Sequence, residues 1–198
     1  MAGRDCIAEE PCYPQRVLPR KQTHEDHALI PEDGQRHEIL GGEHYVEPSP
    51  SFRHQAVSSR LHVRLGSHVE ERKAGIVLSA PMDVILSADD IAQPDLLFIS
   101  NERAGIITLR NIKGAPDLVV EVLSQRTRRR DEGIKRELYD RCGVPEYWIV
   151  DPQRKATKVY RRQGENLRLT ATFSAATDAV LTTSLLPGLA IPLAEIFK

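Results

Sequence analysis

Residues 116–123 read Pro-Asp-Leu-Val-Val-Glu-Val-Leu, and this stretch decides the fold. A nearly continuous apolar run of this length is typical of a central strand that is buried on both faces. Two acids interrupt the run, although Asp and Glu are almost never fully buried unless they are paired or bind a metal ion. Because Asp117 and Glu121 are four residues apart, the two-residue period of a strand places both on one face.

The residues after this strand predict a helix and a second buried strand. Thr127 can cap a helix that runs to about Cys142, where a glycine and a proline stop it. Apolar and β-branched runs then predict strands at 147–150, 155–161 and 167–173.

The residues before this strand predict a hairpin, a helix and three further strands. Adjacent glycines, Gly41 and Gly42, can turn the chain between Arg36–Leu40 and Glu43–Glu47. Apolar residues recur every four positions in a predicted helix from Phe52 to Glu71. The predicted strands are 76–79, 82–86 and 95–99.

This order of elements predicts an α/β sandwich within one domain, residues 21–198. Residues 1–20 contain three prolines and no periodicity, and we expect them to form a loose N-terminal extension.

A third acid, Asp95, opens an earlier apolar strand that could lie beside the central one. Two charges 4 Å apart repel by on the order of 4 kcal/mol at an effective dielectric of about 20. A divalent cation or a retained proton would relieve this repulsion. Because oxygen ligands suit hard ions, the cluster of Asp95, Asp117 and Glu121 predicts a magnesium site, with manganese as a substitute. Alternatively, Asp117 caps the start of the strand and Glu121 pairs with an arginine.

The predicted helix after the central strand carries basic residues that could act on the same site. Ile134 and Leu138 mark its expected buried stripe, so Lys135 can lie at the edge of the core and extend its amine toward the acids. Arg128, Arg129 and Arg130 could follow a phosphate backbone. They could equally form a solvated charged face, balanced by the acids of the same helix.

Composition limits the other classes of function. The formal net charge is −1, which does not exclude DNA as a partner, because binding depends on where the positive charge lies. No apolar run is long enough for a membrane span and no secretory signal is present, so we expect a cytoplasmic protein without a membrane partner. The cysteines and histidines lack the spacing of zinc ligands, and Cys142 has no histidine after it in the chain to activate it.

Four stretches of the sequence resemble a known family from about Thr23 onward. They are PEDGQRHEILGGEHYVEPSPSFRHQ at 31–55, QPDLLFIS at 93–100, the long stretch from GAPDLVVEVL to YWIVDP at 114–152, and LLPGLAIPLAEIF at 185–197. The chain resembles the bacterial restriction endonucleases of the Uma-two type, within the PD-(D/E)xK nuclease superfamily. The resemblance implies a restriction-endonuclease-like core, in which helices flank a mixed central sheet, with an N-terminal hairpin and extra C-terminal strands.

The resemblance also implies roles for single residues. Asp95 corresponds to the aspartate of the PD motif and Glu121 to the following acid. Leu123 stands where the motif has its lysine, and Lys135 from the next helix is the residue to which we assign that role. Asp117 and Glu38 match other acidic positions of the family pattern. Glu38 could reach the site from the N-terminal hairpin, and Gln55 from the first helix.

The sequence therefore predicts a magnesium-dependent endonuclease that hydrolyses phosphodiester bonds in DNA. The alternative is a catalytically inactive module of the same fold that binds nucleic acid or a protein partner, which the missing lysine at Leu123 favours. By analogy, cutting both strands of a duplex would suit a homodimer.

Overall fold

The strand predicted around Glu121 lies inside a six-stranded sheet. The computed structural model describes residues 20–31, 33–47 and 49–198, so the predicted N-terminal extension lies outside the described residues except for Arg20. In chain order the strands are β1 (Arg36–Leu40), β2 (Glu43–Glu47), β3 (Gly75–Ser79), β4 (Val84–Ser87), β5 (Asp90–Ala92), β6 (Leu96–Ser100), β7 (Ile112–Lys113), β8 (Leu118–Val122), β9 (Glu146–Asp151), β10 (Ala156–Gln163), β11 (Asn166–Ser174), β12 (Val180–Leu181) and β13 (Ile191–Pro192). The α-helices are α1 (His24–His27), α2 (Phe52–Arg72), α3 (Arg128–Arg130), α4 (Arg136–Arg141) and α5 (Leu193–Ile196).

The main sheet has the strand order β11-β10-β9-β8-β6-β3. Strand β8 is antiparallel to β6 and parallel to β9, and all five of its residues are buried. Side chains of β8 alternate between two parts of the core: Val120 packs with α2 and the C-terminal segment, and Val119 packs with Tyr139 and Tyr147. The prediction of a central strand covered on both faces is therefore confirmed.

The predicted N-terminal hairpin forms as expected and joins a second sheet that the sequence did not predict. Gly41 and Gly42 both have positive φ angles, 62° and 83°, at the turn between β1 and β2. The second sheet has the order β2-β1-β5-β4-β7. The run predicted as a strand at 82–86 is β4 and belongs here, whereas β5 and β7 are too short to show a period.

Helix α2 begins one residue after Ser51, whose side chain accepts a hydrogen bond from the backbone N–H of His54. A serine at this position satisfies one of the free amides of the first turn. The four apolar residues of the predicted stripe are all buried against the main sheet: Val57, Leu61, Leu65 and Val69.

Residues 128–141, here called the crossover helix, connect the parallel strands β8 and β9. The segment begins and ends as α-helix, with a π-helical turn at Asp131–Lys135. The prediction that Ile134 belongs to the buried stripe is wrong, because Ile134 is 43% exposed, whereas Lys135 is 1% exposed. Lys135 faces inward because buried carboxylates on β1 and β8 attract its ammonium, so Ile134 beside it faces outward.

Strands β10 and β11 complete one side of the main sheet, and β12 pairs with β13 in a separate two-stranded sheet. The predicted outer strands correspond to β10 and β11, which pair with each other and extend the sheet from β9.

Within residues 20–31, 33–47 and 49–198, no helix is long and apolar enough to cross a membrane.

Candidate active site

Asp95 and Glu121 face each other across two neighbouring strands. Leu96 of β6 pairs with Val120 of β8, so Asp95, one residue before Leu96, stands opposite Glu121. Both side chains are buried, and both line the same cavity. The structure thus brings together two of the three acids that the sequence predicted to form a cluster.

Three donors hold the carboxylate of Asp95. Its Oδ1 accepts a hydrogen bond from Arg36 at 3.1 Å, and its Oδ2 accepts one from the backbone N–H of Val122 at 2.9 Å. The Nε2 of His54 lies 3.1 Å from Oδ2 and must carry the proton, since a carboxylate only accepts. Although burial opposes ionisation, the hydrogen bond and charge of His54 and the charge of Arg36 lower the pKa of Asp95 to about 2.

Glu121 is held from the crossover helix. Its Oε1 accepts hydrogen bonds from the Nζ of Lys135 at 2.9 Å and from the hydroxyl of Tyr139 at 2.8 Å. Burial raises the pKa of Glu121, and the negative charges of Asp95 and Glu38 add to this effect, while Lys135 opposes it. The pKa of Tyr139 is well above its ordinary value because the ring is buried beside these carboxylates, so its hydroxyl remains a donor.

Lys135 is the central cation of the site. Its Nζ lies 2.8 Å from Glu38, 2.9 Å from Glu121 and 3.8 Å from Asp131. Burial alone would lower the pKa of the ammonium, but these carboxylates raise it well above its ordinary value. Lys135 is therefore charged, and it reaches the acids as the sequence predicted.

Leu123 occupies the place where the superfamily motif has its lysine, and it is an ordinary core residue. Its side chain is buried and packs in the same cluster as Leu138, Tyr139 and Ile149. Leu123 also lines the cavity that contains Glu121, but the ammonium beside Glu121 comes from Lys135 of the crossover helix.

Glu38 lies in the site, as expected, and brings a second acid of the hairpin with it. Glu38 is fully buried and accepts a hydrogen bond from the backbone N–H of Gln93 at 2.7 Å, in addition to its ion pair with Lys135. Burial and the charge of Glu38 raise the pKa of Glu47 to about 7, although Lys135 and Arg130 favour its ionised form. Strand β1 thus supplies a carboxylate that fixes the position of the Lys135 ammonium.

The structure corrects the expectation that Asp117 joins the other acids. Asp117 precedes β8, and its Oδ2 accepts a hydrogen bond from the backbone N–H of Ser100 at 2.8 Å. Its other oxygen lies 3.5 Å from Arg103. Four residues of extended strand span about 13 Å, so sharing a face of the strand does not bring Asp117 to Glu121. Its contacts are those of an acid that fixes the start of the strand.

The structure also corrects the expectation for Gln55, which is exposed and does not line the cavity. The preceding residue, His54, is buried and contacts Asp95. A signal for this was present in the sequence, because His54 lies three residues before Val57 and seven before Leu61 on the buried stripe of α2.

The three arginines predicted to bind nucleic acid have different surroundings. Arg128 donates to Asp151 at 2.8 Å. Arg130 pairs with Glu47, and its guanidinium lies 4.9 Å from the centre of the Tyr45 ring. Only Arg129 of the three is exposed. Arg128 and Arg130 therefore have intramolecular partners.

Five contributors to the site were not predicted as site residues: Arg36, Glu47, His54, Asp131 and Tyr139. Asp131 had a signal in the sequence, because it lies one helical turn before Lys135 and is buried with it. No signal for Arg36 and Glu47 was present in the sequence, because they reach the site only through the pairing of the hairpin strand β1 with β5.

A cavity of about 550 Å³ opens onto these groups. Residues from six parts of the chain line it: the hairpin, the start of α2, Asp95 before β6, the end of β8 with the segment after it, the crossover helix, and Pro152 and Gln153 after β9. Its lining includes Asp95, Glu121, Asp131, Lys135, Arg36, His54, Arg53 and Arg126. The acids thus lie at the wall of a space that a ligand can enter.

The oxygen-rich lining fits a magnesium ion better than a zinc ion. Within the part of the chain that the structure describes, no group of three or more His, Cys, Asp or Glu side chains is arranged to hold a metal. Magnesium, however, keeps several waters and commonly binds one or two carboxylates together with phosphate oxygens. Asp95 and Glu121 supply that number, and Oδ1 of Asp131, which also lines the cavity, is buried without a hydrogen-bond partner among the described residues.

Comparisons with known proteins agree with this architecture. Residues 24–194 match the Uma2 family, which is described as "Putative restriction endonuclease". No curated protein matches the chain. Among solved structures, "a putative nuclease belonging to DUF820" from Anabaena variabilis ATCC 29413 is 21% identical, with a TM-score of 0.75 over 88% of this chain and 97% of that one. The predicted resemblance and the predicted α/β fold, a mixed sheet flanked by helices, are confirmed.

Proposed function

Because the chain belongs to the Uma2 family of restriction-endonuclease-like proteins, we propose that it is a magnesium-dependent endonuclease that hydrolyses phosphodiester bonds in DNA. The observation that carries the proposal is the pairing of Asp95 and Glu121 across β6 and β8 at the wall of a cavity, with the Lys135 ammonium 2.9 Å from Glu121.

Asp95 and Glu121 are the residues that would hold the metal ion. A bound Mg²⁺ supplies Lewis acidity toward a phosphodiester oxygen and makes a bound water more acidic. His54, Arg36 and the backbone of Val122 fix the Asp95 carboxylate, so a ligand meets it in one orientation. Such preorganisation limits the rearrangement that binding requires.

Lys135 has two roles in this proposal. Its ammonium orients the Glu121 carboxylate, and its fixed positive charge at the cavity wall favours the charge that develops on a phosphate during displacement. The surrounding carboxylates raise the pKa of the ammonium well above its ordinary value, so it is charged at neutral pH. The lysine of the sequence motif is thus replaced by one from the crossover helix.

One observation favours the alternative, a binding module without turnover. Both oxygens of Asp95 already accept hydrogen bonds, from Arg36 and from His54 and Val122 respectively, so a cation must compete with these donors. A module of this kind would bind DNA in a salt-dependent manner and leave it intact with every divalent ion.

The proposal is tested by incubating the purified protein with supercoiled plasmid and Mg²⁺ or Mn²⁺. We expect nicking that chelation with EDTA stops and that Asp95→Asn and Glu121→Gln abolish. Glu146→Gln is the matched control, since Glu146 is a buried acid of the neighbouring strand that pairs with Arg161 and does not line the cavity. Nicking that survives Glu121→Gln would refute the assigned site, and salt-sensitive binding without nicking would establish the alternative.

A further inference from the structure

Most arginines of the described chain are engaged by acids or carbonyl oxygens, but a few guanidinium groups have no partner. Five have no hydrogen bond or ion pair with any residue in 20–31, 33–47 or 49–198: Arg53, Arg110, Arg126, Arg129 and Arg168. Of these, Arg53 and Arg126 line the cavity that contains Asp95 and Glu121. Their charge is therefore available to a ligand at the mouth of the candidate active site.

An exposed aromatic residue adjoins one of these arginines in the chain. Phe52 is 88% exposed, and its neighbours in the chain, Ser51 and Arg53, both line the cavity. Single exposed apolar residues are common on protein surfaces. Here, however, the ring follows the N-cap of a 21-residue helix and adjoins an unpaired arginine, which together form the kind of surface that binds a nucleic-acid strand.

The two segments that carry these residues also position the site. Arg53 and Phe52 precede His54, which contacts Asp95, and Arg126 lies five residues after Glu121. The positive end of the α2 helix dipole lies at Phe52 and Arg53 and adds to the attraction for anions. Both arginines line the same cavity as Asp95 and Glu121.

We propose that Phe52, Arg53 and Arg126, here called the rim, bind single-stranded DNA. The guanidinium groups contact phosphates, and the Phe52 ring stacks on an unpaired base. In a duplex each base is covered by its neighbours, whereas unpaired bases leave a face free for an aromatic side chain. This proposal rests on the proposed function and specifies the substrate class, which is DNA with an unpaired segment.

The test measures binding separately from cleavage. Fluorescence anisotropy in EDTA compares a labelled oligonucleotide of about 12 nucleotides with its duplex. We expect the single strand to bind more tightly. Phe52→Ala should weaken single-strand binding about 5- to 100-fold with little effect on duplex binding. The double variant Arg53→Ala/Arg126→Ala should also lower the salt dependence, by about 1.4 in the slope of log K against log salt.

Two variants outside the cavity are matched controls. Leu109 is fully exposed and Arg168 is an exposed arginine of β11 without a partner among the described residues, so Leu109→Ala and Arg168→Ala should leave binding unchanged. Circular dichroism of each variant checks that it is folded. Tighter binding of the duplex, or equal effects of Phe52→Ala and Leu109→Ala, would overturn the rim proposal. Because binding is measured without metal, plasmid that stays intact with Mg²⁺ refutes only the nuclease proposal.

Discussion

The Nζ of Lys135 lies 2.9 Å from Oε1 of Glu121, and the hydroxyl of Tyr139, one helical turn further on, donates to the same oxygen at 2.8 Å. A spacing of four residues puts both side chains on the inner face of the crossover helix. Glu38 contacts the other side of the ammonium at 2.8 Å. Lys135 and Tyr139 of the crossover helix therefore fix the orientation of the Glu121 carboxylate. The contact between Lys135 and Glu38 links this arrangement to the hairpin.

Replacing Lys135 should affect stability and activity together. Lys135→Met leaves Glu38, Glu121 and Asp131 without their shared cation, and breaking a buried ion pair typically costs about 3–5 kcal/mol. We expect the free energy of unfolding in urea to fall by that amount and plasmid nicking to be lost. Lys158→Met is the control: Lys158 pairs with Glu132 in a partly exposed position, so its loss should cost no more than about 1 kcal/mol.

The two buried tyrosines of this region should differ in their contribution to stability. Tyr139 donates to a carboxylate, whereas Tyr147 donates to the backbone carbonyl of Asp131 at 3.1 Å. Hydrogen bonds to charged groups contribute about 1.5–3 kcal/mol and neutral ones about 0.5–1.5 kcal/mol. Urea unfolding should therefore show a larger loss for Tyr139→Phe than for Tyr147→Phe. Equal losses would mean that Glu121 is not ionised in the folded protein.

A variant of Asp117 tests whether this acid belongs to the site, as the sequence predicted, or only fixes the start of β8, as the structure shows. Asp117→Asn removes charge from the pair with Arg103 and weakens the hydrogen bond from Ser100, so we expect a loss of about 1 kcal/mol in the free energy of unfolding. Metal-dependent nicking should persist, in contrast to Glu121→Gln. Complete loss of nicking in a folded Asp117→Asn protein would place Asp117 in the site after all.

Glu47 should make stability depend on pH near neutrality. Burial and the charge of Glu38 raise its pKa from 4.5 to about 7, so the folded state holds a proton that the unfolded state releases at lower pH. The stabilisation is present in full below pH 4.5 and is lost as the pH rises through 7. Relative to Glu47→Gln, the wild-type protein should lose about 1–3 kcal/mol of unfolding free energy across this window. Parallel pH profiles of the two proteins would contradict the raised pKa.

Elements with a clear local period were predictable from the sequence. The hairpin around Gly41 and Gly42, helix α2 with its stripe, and the buried run around Glu121 all form where expected. Strands β5 and β7, of three and two residues, were missed because a period cannot be read from so few positions. They form because β1 and β4 offer them backbone partners.

The site was only partly predictable. Glu121 was predicted as a site residue because an acid in the middle of an apolar strand is rarely buried without a partner or a metal ion. Lys135 was predicted from its position on the next helix. His54 was overlooked in favour of Gln55, although its spacing to Val57 and Leu61 placed it on the buried face of α2. Asp117 shared the face of Glu121 but lies at the other end of the strand.

The sequence by itself determined where the longer strands and helices form and that acids would be buried among apolar residues, because these properties depend on neighbours along the chain. Only the tertiary structure decided which charges meet. The antiparallel register of β6 on β8 sets Asp95 opposite Glu121 and leaves Asp117 elsewhere, and the packing of the hairpin brings Glu38 to Lys135. Contacts between distant residues depend on register and helix rotation, where a shift of one position exchanges the buried face for the exposed one.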